Sequence, residues 1–244
     1  MYLQDYLLFM GAILVCALLS AWASARVKNA FSRHDGAPCR SGMTGRDVAA
    51  RLLNANGVTD ISIGRVDGFL TDHYHPAHGV VNLSESTYGR RSVAAVAVAA
   101  HEIGHVMQRQ NGYLLYRLRS LLVPVVNFGT RLAMPLVLVG ILLDFFVVLS
   151  SESVGFYIAM VGVALYGGSI LFALVTLPVE LNASARAKRM LVAEGILTRE
   201  ELPAASKVLS AAAFTYLASL ITSLIYFLRF LLYVLAIFGR RSRR

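Results

Sequence analysis

Apolar residues fall along this chain in long blocks separated by polar segments, and several blocks have the dimensions of a bilayer. The first covers residues 6–25, close to the ~20 residues a helix needs to cross the hydrocarbon core. Asp5 precedes it with no Lys or Arg, whereas Arg26, Lys28 and Arg33 follow it. A secretory signal peptide carries its positive charge first. The block therefore reads as a retained transmembrane anchor with its N-terminus outside, although the small residues Ala21, Ala23, Ser24 and Ala25 imitate a cleavage site. Two further blocks, 132–149 and 154–177, are joined by Ser150-Ser151-Glu152-Ser153 and predict a transmembrane helical hairpin over 132–177. The last block, 208–238, contains Arg229 and runs into a basic tail, 239–244. It is long for one simple span and short for two. A single crossing is the favoured reading, giving four spans.

The intervening segments are polar. Residues 26–119 contain Thr44-Gly45-Arg46-Asp47, which resembles a helix-opening capping box. Val48, Leu52 and Leu53 follow at helical spacing, and Gly57 closes the helix. Short strands are predicted at 61–66, 69–74 and 80–83, the last two joined by a turn at His75-Pro76-Ala77-His78-Gly79. Residues 92–110 predict a helix rich in Ala and Val. Residues 178–207 form a second polar, basic segment, expected to be helical after Pro178. The fold class is thus a mainly α membrane protein with transmembrane helices and a small α+β part, its short β-sheet lying beside the 92–110 helix.

Composition supports a bilayer as solvent. Hydrophobic residues make up 57% of the 244 residues and charged residues 15%, against roughly one-quarter charged in soluble domains. The net charge of +9 sits where the positive-inside rule expects it, and no nucleic-acid-reading module accompanies it. Two cysteines, Cys16 in the first span and Cys39 in a polar loop, make neither a disulfide framework nor a Cys-based metal site.

The chemistry concentrates in His101-Glu102-Ile103-Gly104-His105. Helical positions four apart share a face, so both imidazoles can reach one zinc ion. The adjacent Glu102 can act as general base toward a water that the metal acidifies. Catalytic zinc sites use three protein ligands, and no His follows His105, so a carboxylate must complete the set. Asp144, Glu152, Glu180, Glu194, Glu200 and Glu201 are the downstream candidates. Asp144 lies inside a span, which makes it a functional candidate by default, though near the far end of the span it can simply reach the interface. Glu180 lies where the hairpin returns the chain to its starting side. Glu194, Glu200 and Glu201 fall in a predicted turn as solvated charges. His73, His75 and His78 cluster around the predicted hairpin and read as turn-flanking residues in preference to a second metal site. Tyr216 is a secondary candidate for an oxyanion donor, since a Tyr near an interface is more often an anchor.

The segments Ala99-Ala100-His101-Glu102-Ile103-Gly104-His105-Val106-Met107-Gln108 and Leu177-Pro178-Val179-Glu180-Leu181-Asn182-Ala183-Ser184 resemble those of the YugP-type membrane zinc metallopeptidases, bacterial proteins of the neutral zinc metallopeptidase group. Supporting pieces are Leu70-Thr71-Asp72-His73-Tyr74, Asn82-Leu83-Ser84 and Ala212-Ala213-Phe214-Thr215-Tyr216. The resemblance covers nearly the whole chain. It implies a gluzincin-like site with one catalytic zinc and Glu180 as third ligand, in a multi-pass protein of the bacterial inner membrane. Glu180-x-x-Ala183 is also similar to the Glu-x-x-Ala-Asp segment of HtpX-type proteases. This chain has Ser184 where that pattern has Asp, so the resemblance supplies no Asp to orient a ligating His. It likewise has His75 where the family has Asp, and no role for that position carries over. Resemblance to other zincins further suggests that Val80, Val81, Asn82 and Leu83 form an edge strand able to accept an extended peptide.

The leading functional expectation is an endopeptidase acting on membrane or membrane-adjacent proteins, its partners being protein or peptide substrates and the lipid bilayer, with no nucleic acid. A zinc-stabilised scaffold with vestigial activity is the alternative, and hydrolysis of a non-peptide amide or ester is a third. Lys and Arg are dense in 26–119 and 186–207, which places the zinc site in the cytosol.

Overall fold

Glycines and alanines let the apolar blocks pair closely, and the first example is a helical hairpin. A computed structural model of the chain describes residues 2–146 and 154–239. The chain divides into two units, one formed by residues 1–20, 117–176 and 216–244, the other by 21–116 and 177–215. Four long helices run through both: α1 (Tyr2–Asp35), α4 (Leu114–Phe146), α5 (Val154–Ala193) and α6 (Leu202–Gly239). All four are long and apolar enough to cross a membrane.

In the apolar unit a Cβ on Gly140 would lie 2.4 Å from the Gly155 carbonyl oxygen. One on Gly162 would lie 2.6 Å from that of Ala133. Only small residues allow α4 and α5 this approach, the usual device for packing helices in lipid, where no hydrophobic drive separates them from the solvent. Val137, Ala159, Val163, Val234 and Phe238 form the buried centre of this unit. Leu14, Leu121, Phe128 and Phe146 are exposed, a distribution suited to hydrocarbon.

The second unit contains α2 (Gly45–Ala55), α3 (Val93–Gln110) and a three-stranded sheet of β1 (Ser62–Val66), β2 (His73–His75) and β3 (Val80–Ser84). Thr44 accepts from the Asp47 backbone N–H while the Asp47 carboxylate accepts from Thr44, so the predicted capping box is present. Ser92 caps α3 by accepting from the Ala95 N–H. The Ala and Val of α3 bury against α2, β3 and the polar half of α5, around Val48, Leu52, Val81, Val96, Ile103 and Leu191.

Two departures from the sequence expectation follow. First, β3 pairs parallel with β1 and antiparallel with β2, in the order β1-β3-β2. Val80, Val81, Asn82 and Leu83 therefore lie in the central strand, not an edge. Both of its sides are occupied, and even the Ser84 N–H is taken by the Asp72 carboxylate, so no peptide can add there. Second, α5 passes through Pro178 without a break. A proline removes one donor and clashes with the carbonyl four residues earlier, but neighbouring helices can hold such a segment helical. Residues 178–193 are thus the end of the long helix α5 and not a separate element. The last apolar block lies in one continuous helix, α6, and does not turn back on itself, in keeping with the favoured reading of that block. The turn at 150–153, the side chain of Asp144 and the tail at 240–244 lie outside the described residues.

Candidate metal centre

The helical period of α3 puts His101 and His105 one turn apart on the same face, their ring centroids 4.8 Å apart and nearly perpendicular. What brings a carboxylate to them is the close passage of α5. A Cβ at Gly104 would stand 2.5 Å from the Ala183 carbonyl oxygen, so the glycine between the histidines lets the two backbones nearly touch. Glu180 and Ser184, one turn apart on α5, consequently face the imidazoles. Glu180 Oε2 lies 3.1 Å from His101 Nε2 and 3.5 Å from His105 Nε2. The three side chains offer ligand atoms within 4.8 Å of one another.

These distances suit a zinc ion. Tetrahedral coordination at 2.0–2.1 Å places ligand atoms roughly 3.3 Å apart, which the two Glu180 contacts bracket. Two neutral imidazoles and one carboxylate are also a donor set that zinc accepts in catalytic sites. Among the described residues this is the one cluster of three ligating side chains.

Glu102 is buried on the same helix. Burial pushes its carboxyl up to about 7, because a charged carboxylate is poorly solvated there. His101 opposes the rise, Asp72 and Glu180 add to it, and a hydrogen bond from the Tyr74 backbone N–H opposes it. A carboxyl balanced near neutrality can both take and return a proton. Strand β2 thereby touches the site through its main chain.

Two contacts behind the histidines escaped the sequence reading. His101 Nδ1 lies 3.1 Å from Ser184 Oγ, so the serine stands where the related pattern has an Asp and makes a contact of its own. His105 Nδ1 lies 3.0 Å from Gln108 Oε1, and the Gln108 side chain is completely buried. Gln108 was visible only as a letter within a family segment, and Ser184 only as the replacement of an Asp in a related pattern. The Tyr116 ring also lies 6.2 Å from that of His105, with no sequence signal pointing to it.

The other candidate carboxylates and the hairpin histidines have partners of their own. Glu194 pairs with Arg51 and Glu200 with Arg40, while Glu201 accepts from the Thr198 and Arg40 backbone N–H groups. These are surface contacts within the second unit. His75 and His78 have ring centroids 4.3 Å apart across the hairpin turn, and His73 Nε2 lies 3.1 Å from Asn82 Nδ2. Tyr216 is half-buried on α6 at the first position of the apolar unit. Cys39, expected in an open polar loop, is 4% exposed and its thiol contacts Ser41 and the Ile196 carbonyl.

Comparison with known proteins identifies the family. Residues 9–235 match the family described as "Putative neutral zinc metallopeptidase". The chain is 42% identical over 226 residues to the "Putative membrane protease YugP" of Bacillus subtilis (strain 168), a match spanning 93% of this chain and 96% of that one. No solved structure matches. A match running from the first helix through the last makes this chain a member of the neutral zinc metallopeptidase family, similar along nearly its whole length to that Bacillus subtilis protein.

Proposed function

We propose that this chain is a membrane-embedded, zinc-dependent endopeptidase with a gluzincin-type site. His101, His105 and Glu180 hold one zinc ion, and Glu102 is the general base. The observation that carries the reading is the convergence of those three ligand atoms within 4.8 Å beside a buried Glu102. Zinc bound there supplies Lewis acidity, polarising a substrate carbonyl and bringing the pKa of a water to about 7. Glu102 takes the proton of the attacking water and passes it to the departing amine nitrogen. The Tyr74 N–H steadies its carboxylate before the proton is taken and again after it is passed on. Ser184 and Gln108 hold the far nitrogens of the two imidazoles. Tyr216 is proposed as an oxyanion donor.

The site sits on α3 and on the polar end of a helix whose other end is apolar. This supports substrates that are proteins or peptides in or beside the bilayer. Positive charge in the polar unit supports a cytosolic active site in a bacterial inner-membrane protein. A zinc-stabilised scaffold is disfavoured by Glu102, since a structural site has no use for a buried carboxyl that costs free energy to desolvate.

The test compares wild type with Glu102→Gln in detergent or nanodiscs. Zinc content should be unchanged, and cleavage of an unfolded protein should fall at least ~10²-fold, as for loss of a general base. Equal cleavage by both proteins would remove the mechanism. A wild type that holds zinc and cleaves no protein would favour the scaffold.

A further inference from the structure

Gln108 has hydrogen-bonding freedom in principle, because its side-chain amide can point either way round. In this structure its partners remove that freedom. The Val179 carbonyl oxygen lies 2.7 Å from Gln108 Nε2, and a carbonyl can only accept. Asn182 Oδ1 lies 3.1 Å from the same nitrogen. That oxygen is itself fixed, because Arg186 Nε donates to it at 2.8 Å and a guanidinium has no acceptor. Two independent acceptors therefore hold the Gln108 amide nitrogen on the α5 side. Its oxygen must then face His105, 3.0 Å from Nδ1. An oxygen at that distance requires a proton on Nδ1.

We propose that Gln108 is a positioning residue that fixes His105 as the Nδ1–H form, leaving the Nε2 lone pair directed at the metal site. The inference rests on the zinc reading given above. The two histidines then differ in kind. His101 has Ser184 Oγ at its Nδ1, and a hydroxyl can donate or accept, so that contact does not by itself set which nitrogen of His101 carries the proton. The Gln108 contact does so for His105. Burial makes the constraint effective, since Gln108 is fully enclosed and no water can substitute for it. The residue also ties α3 to α5 at the level of Glu180, so the same contact sets both the orientation of His105 and the distance of the carboxylate. Partners of this type are generally worth 10–100-fold in metal affinity.

The experiment measures zinc affinity of the full chain in nanodiscs by competition with a chromogenic chelator, for wild type, Gln108→Leu, Gln108→Glu and His105→Ala. The cobalt-substituted absorption spectrum of each is a second readout. Gln108→Leu removes the acceptor, whereas a protonated Gln108→Glu restores it, with its hydroxyl donating to Val179. Gln108→Leu should bind zinc 10–100-fold more weakly and shift the cobalt bands. Gln108→Glu should stay within a few-fold of wild type with unshifted bands. Wild-type zinc affinity and bands in Gln108→Leu, with His105→Ala clearly weakened, would overturn the positioning role alone. Wild-type affinity in His105→Ala would overturn the zinc reading beneath it. Should Gln108→Leu not fold, Gln108→Glu decides: retained affinity with unshifted bands supports the role, and a tenfold loss overturns it.

Discussion

Gly104→Ala is the sharpest test of how the site is assembled. A Cβ at position 104 would lie 2.5 Å from the Ala183 carbonyl oxygen, about 0.9 Å inside the 3.4 Å at which ordinary contact begins. The obstructing atom is backbone in the middle of α5, so no side chain can rotate away and α3 or α5 must move. Ala183 lies directly between Glu180 and Ser184, and both would move with it. Metal sites tolerate roughly 0.5 Å of misplacement, and about 1 Å can cost ~10²-fold in rate. Overpacking costs ~1–3 kcal/mol, while Ala over Gly in a helix gains ~1 kcal/mol. The expected result is a net destabilisation of up to ~2 kcal/mol and a proteolytic rate lowered ~10²-fold, with zinc affinity reduced as well. Thermal melting of the metal-free chain, zinc titration and cleavage of an unfolded substrate measure the three. A variant that melts at or above the wild-type temperature and binds zinc equally well would refute the claim that this close approach builds the site.

Glu180→Ala should lose zinc and activity together, whereas Glu194→Ala, which removes only a surface pairing with Arg51, should lose neither; metal analysis after gel filtration separates them. The Asp47 carboxyl is held below its ordinary value by hydrogen bonds from the Thr44 side chain and backbone. Its stabilisation of α2 is therefore fully present above about pH 4 and is lost as pH falls through the folded-state value. The stability difference between wild type and Asp47→Ala, followed by thermal melts across pH, should be constant near neutrality and shrink in acid; a difference that grows in acid would contradict the capping contact. For topology, Cys39 is a poor reporter because it is buried, so the exposed position Thr59 should be used. Thr59→Cys should resist a membrane-impermeant maleimide in intact cells and react once they are opened, and ready labelling of intact cells would put the site outside.

The sequence by itself determined the features whose cause is local. A block of apolar residues of bilayer length is a helix that water rejects, whatever surrounds it. Thr44 and Asp47 satisfy the opening N–H groups of α2 within four residues, and the one-turn spacing of His101 and His105 is fixed by the helical repeat alone. The metal-binding half of the site was legible for that reason, and the motif around Glu180 pointed to a partner. Tertiary structure decided the rest, because it depends on which distant segments touch. Nothing in the order of residues ranks β3 as the central strand; the parallel pairing of 62–66 with 80–84 does so, and that displaced the expected peptide edge. Continuity of α5 through Pro178 depends on neighbours that hold the helix, not on the proline's own preference. Only packing shows that Gly104 lets α5 come close enough to present Glu180 to His101, 79 residues away along the chain. The same packing places Ser184 and Gln108 behind the two imidazoles. A single residue type has many uses, and position in space selects one: Gln108 became a partner of His105 only when Val179 and Asn182 fixed which way its amide points.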